Sequence, residues 1–225
     1  MKKNKLLLFL TAFVMAFSMI ALTGCGDQEE PAEPEEEAVL TWADADVPED
    51  VQAIRDEVLG LAEKGAEELG TDFGDKYVAL IESGEARDYA GYDELFNPIN
   101  AMTEEIGATY VYTMSPLGDD GEPVLDSDGT GSFCITVDGD AEEPDDWATD
   151  YGWEIQFTEA WEGAPAAARS AWADSDELIC WSAFAPILDS EGNVVCILGI
   201  DYPANVIFDY PEWNRDADEW NGIEE

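Results

Sequence analysis

Asp201 ends an apolar stretch of the chain, and its position gives the sharpest chemical clue in the sequence. The stretch reads VVCILGID from Val194 to Asp201, and a short run this apolar is typical of a strand buried on both faces. An unpaired carboxylate in such surroundings costs on the order of several kcal/mol. No Lys or Arg is close to it in sequence. Asp201 therefore either accepts hydrogen bonds from solvent or local backbone amides at the end of the strand, or binds a cation from outside.

A hairpin predicts which residue accompanies this carboxylate. With Ser190–Gly192 as its loop, Asp189 pairs with Asn193. Counting back along both strands then places Trp181 opposite Asp201, on the same face of the sheet. An aromatic ring beside a carboxylate suits an organic cation, to which the ring adds about 0.5–2 kcal/mol of cation–π attraction. The pair predicts a site for a cationic or amine-bearing solute.

Three further aromatic residues are candidates for the same site. Tyr110 and Tyr112 alternate with Val111 in an earlier strand-like run, so both rings project to one face. Trp153 lies in a later irregular segment that could close over that face. Each of the three is also open to a plain interpretation as a core residue, because large aromatic side chains dominate protein interiors.

The composition excludes several classes of function. The chain has no His, which excludes Ser-His-Asp and Cys-His catalysis and most zinc sites. Its net charge of −44 repels nucleic acid and anionic lipid, so neither is predicted as a partner. With 53 acidic residues, no pair of carboxylates stands out as a hydrolytic pair. The sequence predicts a protein that is not an enzyme and needs no cofactor.

The cysteines and one acidic loop have other interpretations. Cys134, Cys180 and Cys196 lie in apolar runs and are predicted to be core residues, with one disulfide among them possible but unassignable. The loop DDGEPVLDSDG, Asp119–Gly129, is dense in oxygen ligands but lacks EF-hand spacing. It supports an alternative function, that of a Ca²⁺-binding or structural acidic surface lipoprotein.

The N-terminus predicts export and a lipid anchor. A basic start is followed by the uncharged stretch Leu6–Leu22 and by LTGC, which resembles a bacterial lipobox. Residues 1–24 are predicted to be a signal peptide, Cys25 the lipidated residue, and residues 25–45 an acidic tether. A non-cleaved transmembrane anchor is the alternative. Either way, the rest of the chain is expected outside the cytoplasm, at the cell membrane.

The remaining sequence predicts one α+β domain over residues 46–208, followed by an acidic tail at 209–225. Apolar residues recur at three- and four-residue steps in the first part of the domain, which predicts helices over 46–69, 74–84 and 88–108. Pro98 is expected to bend or split the last helix. Strands are predicted at 109–116, 131–139, 177–188 and 193–204, with an irregular helical insertion after the second.

Three stretches resemble the extracytoplasmic Cache domains, which are PAS-like sensor modules of bacterial chemoreceptors, sensor kinases and cyclases. They are ALIESGEARDYAGYDELFNPINAM, YVYTMSP and the hairpin WSAFAPILDSEGNVVCILGIDYPA. The resemblance implies long N-terminal helices packed on a central five-stranded, mostly antiparallel sheet, with a helical and loop cap over a ligand pocket. In amine-binding members the acid of a G-[IV]-D sequence contacts the ligand's amino group, which implies that role for Asp201.

These patterns together predict a membrane-tethered extracytoplasmic module that binds or senses a small cationic or amine-bearing solute. The expected ligand-binding residues are Asp201, Trp181, Tyr112, Tyr110 and Trp153. The module is expected to act through a separate membrane protein, such as a sensor kinase, a chemoreceptor or a transporter.

Overall fold

The computed structural model describes residues 42–223, apart from the side chain of Asp44. The predicted signal peptide, Cys25 and the tether as far as residue 41 lie outside the described residues. Within 42–223, no helix combines the length and the apolar character needed to cross a bilayer.

Three α-helices are present: α1 at Glu49–Ser83, α2 at Tyr92–Ile106 and α3 at Ile155–Trp161. The helices predicted over 46–69 and 74–84 form the single element α1, which is interrupted at Gly70, where φ is 64° and ψ is −174°. Glycine tolerates this positive φ at little cost. Pro98 lies inside α2 without splitting it.

Within residues 42–223, seven strands form one sheet, two more than the five expected. They are joined in the order β3-β2-β1-β7-β6-β4, β5 also pairs with β6, and each of these pairings is antiparallel. The strands are β1 (Tyr110–Pro116), β2 (Phe133–Asp138), β3 (Thr149–Asp150), β4 (Ala166–Ala167), β5 (Trp172–Ser175), β6 (Leu178–Leu188) and β7 (Val194–Pro203).

The two faces of the sheet are covered by different elements. On one face α1 and α2 bury their apolar stripes against residues such as Val111, Ile200 and Trp181. On the other face α3 packs Phe157 and Trp161 in a smaller apolar cluster. The helix α3 and its flanking loops thus form a cap opposite the long helices. This arrangement confirms the predicted α+β, PAS-like fold class.

Residues beyond 208, assigned from sequence to an acidic tail, contribute to the packed domain. Trp213 and Ile223 are buried in the larger core cluster. Asn214 forms a parallel bridge with Ala171, and the backbone N–H of Arg215 donates to the carbonyl of Ala171 at 2.9 Å. The C-terminal segment is therefore fixed along the beginning of β5.

A chain of hydroxyl groups lies buried between α1 and the sheet. The Tyr77 hydroxyl is 2.7 Å from both Ser115 Oγ and Thr136 Oγ1. Thr136 Oγ1 is in turn 2.9 Å from Thr113 Oγ1. All four residues are buried, so each hydroxyl has found a partner within the core, as buried polar groups must. The network ties the second half of α1 to β1 and β2.

The three described cysteines are unpaired and buried, as predicted for core residues. Burial raises the pKa of the Cys134 thiol to about 12 and that of Cys180 to about 11. Burial also raises the pKa of the Cys196 thiol well above its ordinary value. All three are therefore protonated thiols at neutral pH.

The tip of the β6–β7 hairpin is fixed against the second half of α1. The backbone N–H of Ser190 donates to Asp75 Oδ1 at 2.8 Å. Gly74 faces the carbonyl of Leu188, and a Cβ built at Gly74 would lie 2.2 Å from that oxygen. The close approach of helix and hairpin therefore requires glycine at this position.

We expect Gly74→Ala to lower the free energy of unfolding by about 1–3 kcal/mol, the usual cost of overpacking. The obstructing atom belongs to the backbone and cannot rotate away. Gly60→Ala is the matched control, since Gly60 lies in the same helix and a Cβ there meets nothing within 4 Å. That control should be neutral or stabilise by about 0.5–1 kcal/mol. Equal stability of the two variants in urea denaturation would contradict the close contact.

Candidate functional site

A cavity of about 380 Å³ lies on the capped face of the sheet. Its floor comes from β1, β2, β6 and β7, and its walls come from the cap, β5 and the C-terminal segment. Pockets for small ligands have volumes of about 300–1,000 Å³, so this cavity suits a small molecule. The floor residues that line it are Tyr110, Tyr112, Ile135, Asp138, Ser182, Phe184 and Asp201.

Asp201 lines this cavity and is buried, with 6% of its surface exposed. Its Oδ1 accepts a hydrogen bond from Ser182 Oγ at 2.6 Å and another from the Tyr112 hydroxyl at 3.2 Å. Within residues 42–223, no hydrogen bond reaches Oδ2. The carboxylate is thus held in a fixed orientation by one oxygen, and the other is left for a cavity occupant.

A second bond fixes the direction of the Ser182 hydroxyl. Trp172 Nε1 lies 2.9 Å from Ser182 Oγ, and an indole N–H can only donate. The serine oxygen therefore accepts from Trp172 and directs its own proton to Asp201. This relay joins β5, β6 and β7 at the floor of the cavity.

Two tyrosines from β1 flank the carboxylate. The Tyr112 ring lies directly over Gly199, where a Cβ would come within 2.3 Å of a ring carbon, so glycine at this position makes room for the ring. Tyr110 pairs with Asp201 across β1 and β7, and its hydroxyl donates to Asp174 Oδ1 at 3.0 Å. The sequence prediction that both rings share a face with Asp201 agrees with this geometry.

Burial raises the pKa of Asp201 from 3.8 to about 7, because the charged form loses its hydration. The hydrogen bonds from Ser182 and Tyr112 and the charge of Arg215 act in the opposite direction but do not offset the burial, to which Glu154 adds repulsion. Near neutral pH the side chain is therefore poised between carboxylic acid and carboxylate, and a bound cation would favour the carboxylate.

The basic residue in the cavity wall, Arg215, was not predicted from the sequence. Arg215 follows the buried Trp213 and lines the cavity, and its Nη1 lies 2.9 Å from Glu154 Oε1. It reaches the site from the C-terminal segment, 14 residues after Asp201. The indication that could have found it is the run EWNR, in which an aromatic residue suited to the core closely precedes a basic one.

The predicted pairing of Trp181 with Asp201 is wrong. Asp189 and Asn193 do pair at the turn, but a β-bulge between Ile187 and Leu188 shifts the register by one residue. Trp181 consequently faces Tyr202, and Ser182 faces Asp201. A one-residue shift reverses the face, so Trp181 lies fully buried among the helices instead of in the cavity.

Trp153 also lies away from the cavity lining. Its side chain is 48% exposed, and its Nε1 donates to Thr158 Oγ1 at 2.9 Å. The adjacent Glu154 lines the cavity instead, and so does Tyr151, two residues before Trp153. Trp153 therefore does not close the cavity as predicted, and the rings of Tyr151 and of Trp172 in β5 border it instead.

The acidic loop Asp119–Gly129 uses its carboxylates in local turns. Asp120 Oδ1 accepts the backbone N–H of Glu122 at 3.3 Å, and Asp128 Oδ1 accepts the hydroxyl of Thr130 at 2.7 Å. Throughout the described part of the chain, no group of three or more His, Cys, Asp or Glu side chains is arranged to hold a metal ion.

Comparison with known proteins gives structural neighbours at low identity. No protein-family model matches the chain, and no curated protein matches it significantly. Similar solved structures include the periplasmic domain of RsbU from Chlamydia trachomatis, with 13% identity, a TM-score of 0.35 and coverage of 75% of this chain and 58% of that chain. The ligand-binding domain of the Campylobacter jejuni chemoreceptor Tlp3, in complex with 4-methylisoleucine, has 12% identity, a TM-score of 0.31 and coverage of 69% and 61%.

The periplasmic sensory domain of the Campylobacter jejuni chemoreceptor Tlp1 is also similar, with 12% identity and a TM-score of 0.30. The alignment covers 72% of this chain and 64% of that chain. This chain thus spans about three fifths of the length of these structures.

Proposed function

We propose that this protein is an extracytoplasmic module that binds a small cationic or amine-bearing solute in the cavity around Asp201. The observation that carries the proposal is the buried carboxylate of Asp201, held through one oxygen by two neutral hydroxyl groups while the other oxygen is unpartnered. An ammonium group placed there would supply the counter-charge that buried carboxylates require.

The surroundings of this carboxylate favour a cation over an anion. The cavity lining carries seven carboxylic side chains and one guanidinium, that of Arg215. The charge of Arg215 is shared with Glu154 through their ion pair at 2.9 Å. Aromatic rings of Tyr110, Tyr112 and Trp172 border the same space and can add cation–π attraction. A carboxylate or phosphate ligand would meet repulsion from most of the wall.

The setting of the module is proposed from the N-terminal sequence. The lipobox-like LTGC ending at Cys25 supports a lipid anchor that keeps the domain at the outer side of the cell membrane. A binding module held there acts by passing the solute or a signal to a membrane protein, such as a sensor kinase, a chemoreceptor or a transporter. The Ca²⁺-binding alternative has no arrangement of ligands among the described residues to support it.

We expect small primary amines and quaternary ammonium compounds to raise the melting temperature of the purified chain in a thermal-shift screen. A ligand at 100 times its dissociation constant adds about 2.7 kcal/mol to stability. Because the carboxylate form binds the cation and the pKa of Asp201 is about 7, the shift should be larger at pH 8 than at pH 6.

The corresponding neutral alcohols and carboxylic acids serve as matched controls and should give no shift. A broad amine library without a single hit at pH 8 would overturn the proposal. Equal shifts from butylamine and butanol would also argue against it, since they would indicate apolar binding without recognition of charge.

A further inference from the structure

The carboxylates of the cavity form two groups that differ in burial. Asp201 is buried on the floor, whereas Asp140, Glu143 and Asp145 belong to the loop after β2 and line the more open side. We call these three residues the acidic mouth. Glu143 is exposed, and Asp140 and Asp145 are partly buried. Partly exposed carboxylates and one buried carboxylate therefore line the same cavity.

The acidic mouth has unused acceptors. Asp140 Oδ1 accepts the backbone N–H groups of Glu142 at 2.8 Å and Glu143 at 3.1 Å, so this side chain shapes the turn. Asp145 Oδ2 accepts the Tyr151 hydroxyl at 3.1 Å. Among the described residues, no hydrogen bond or ion pair engages the Glu143 carboxylate or Asp145 Oδ1.

Of the two basic groups in this region, only Arg215 lines the cavity. Arg215 forms its ion pair with Glu154, and Arg87 donates to the backbone carbonyl of Asp145. The carboxylate of Asp138, below the mouth, accepts backbone N–H groups with both oxygens, from Asp140 at 3.0 Å and Asp145 at 2.7 Å. Among the described residues, the carboxylates of Glu143 and Asp145 thus line the cavity without an ion-pair partner.

Tyr151 connects the two groups of carboxylates. Its ring lines the cavity and its hydroxyl bonds to Asp145. Burial, then the charge of Asp145 and then that of Asp201 raise the pKa of Tyr151. The phenol of Tyr151 is therefore close enough to Asp201 and to Asp145 for both charges to affect it. All three side chains line the same cavity.

We propose that the ligand is a small linear diamine, with one ammonium group on Asp201 Oδ2 and the second at Glu143 and Asp145. The inference rests on the proposed function and specifies its ligand class. A monoamine satisfies Asp201 and leaves the charge of the mouth unbalanced. A short aliphatic chain between two ammonium groups fills the space bordered by Tyr112, Tyr151 and Phe184 with apolar surface.

The test compares diamines with monoamines of the same chain length. Isothermal titration of the full-length chain with diaminobutane and diaminopentane should give affinities at least about tenfold higher than with butylamine and pentylamine, a factor that equals about 1.4 kcal/mol. Because the mouth is solvent-accessible, this ratio should shrink when the salt concentration rises from low salt to about 0.5 M.

The double variant Glu143→Gln, Asp145→Asn locates the second ammonium group. It should lower the affinity for diaminobutane about tenfold and leave that for butylamine within about twofold. Glu142→Gln is the matched control, because Glu142 is an exposed acid of the same loop that does not line the cavity. Circular dichroism verifies that each variant is folded.

The outcomes separate this inference from the proposed function. Equal affinities for diamine and monoamine, both lost in Asp201→Asn, overturn the diamine inference and leave the proposed function intact. A double variant that binds diaminobutane as the wild type does also overturns it. Failure of every amine to bind overturns the proposed function itself.

Discussion

Replacing Asp201 by Asn is expected to weaken the binding of amines by at least about thirtyfold. Removing one partner of a buried, hydrogen-bonded charge pair costs about 2–5 kcal/mol, and Asn retains the shape and one acceptor oxygen of Asp. The bonds from Ser182 and Tyr112 to this position can therefore persist in the variant. Titration calorimetry at pH 8, where the wild-type carboxylate is mostly ionised, measures the loss.

The same substitution is expected to stabilise the ligand-free protein above pH 7. Asp201 keeps its proton in the folded state up to a pKa of about 7, against 3.8 for the ordinary side chain. Between these values the folded state binds more protons than the unfolded state, so the contribution of Asp201 to the free energy of unfolding decreases as pH rises. Asn does not titrate. The stability advantage of the variant over the wild type should therefore grow as the pH rises from 4 to 8, a range set by the pKa values of Asp201 in the unfolded and folded states.

Asp209→Asn is the control for both measurements, since Asp209 is exposed and does not line the cavity. It removes one negative charge from the surface and should leave amine affinity and the pH profile unchanged. An Asp201→Asn protein that binds amines normally would falsify the central role of this carboxylate. A variant less stable than wild type at pH 8 would show that the buried charge already has a partner.

Trp181→Ala is expected to lower the free energy of unfolding by about 3–5 kcal/mol, the usual cost of truncating a buried aromatic residue. Trp181 is fully buried, its Nε1 donates to the carbonyl of Ala168 at 3.0 Å, and its ring packs edge-on to Trp42 with centroids 6.1 Å apart. Truncation leaves a cavity and an unpaired buried carbonyl. Guanidinium denaturation of the full chain measures the loss.

Trp153→Ala is the matched control, because its side chain is 48% exposed. Its effect on stability should stay within about 1 kcal/mol, as for other surface positions. The milder change Trp181→Phe keeps most of the core volume and should leave amine affinity unchanged. Loss of amine binding in a stable Trp181→Phe protein would restore the ligand-contact role that the sequence predicted.

The elements were predictable from sequence because their signals are local. The apolar run that becomes β7 and the three- and four-residue steps of α1 are set by burial on one or two faces. The position of Asp201 was predictable for the same reason, since a carboxylate that interrupts an apolar strand needs a partner. Its hydroxyl partners were not, because Ser182 and Tyr112 meet it through strand pairing that depends on the register.

The predictions fail where a local irregularity of the backbone changes which distant residues meet. The β-bulge before Leu188 adds one residue to β7. No residue of the sequence VVC, at 194–196, indicates that a bulge is present. This single shift moves Trp181 to the helical face and brings Ser182 to Asp201. Arg215 was missed for a related reason, because a charged segment with few apolar residues is typical of a solvated tail, whereas Trp213 and Ile223 in fact anchor it.

The burial of Cys134, Cys180 and Cys196 has a consequence for the extracytoplasmic, oxidising setting proposed for this protein. Reaction with disulfides or alkylating reagents proceeds through the thiolate, and burial suppresses that form at all three positions. Each thiol lies in a different strand of the sheet's centre, so reagent can reach them only when strands separate. The rate of alkylation therefore measures how often the sheet opens, and the native molecule resists cross-linking without forming a disulfide of its own.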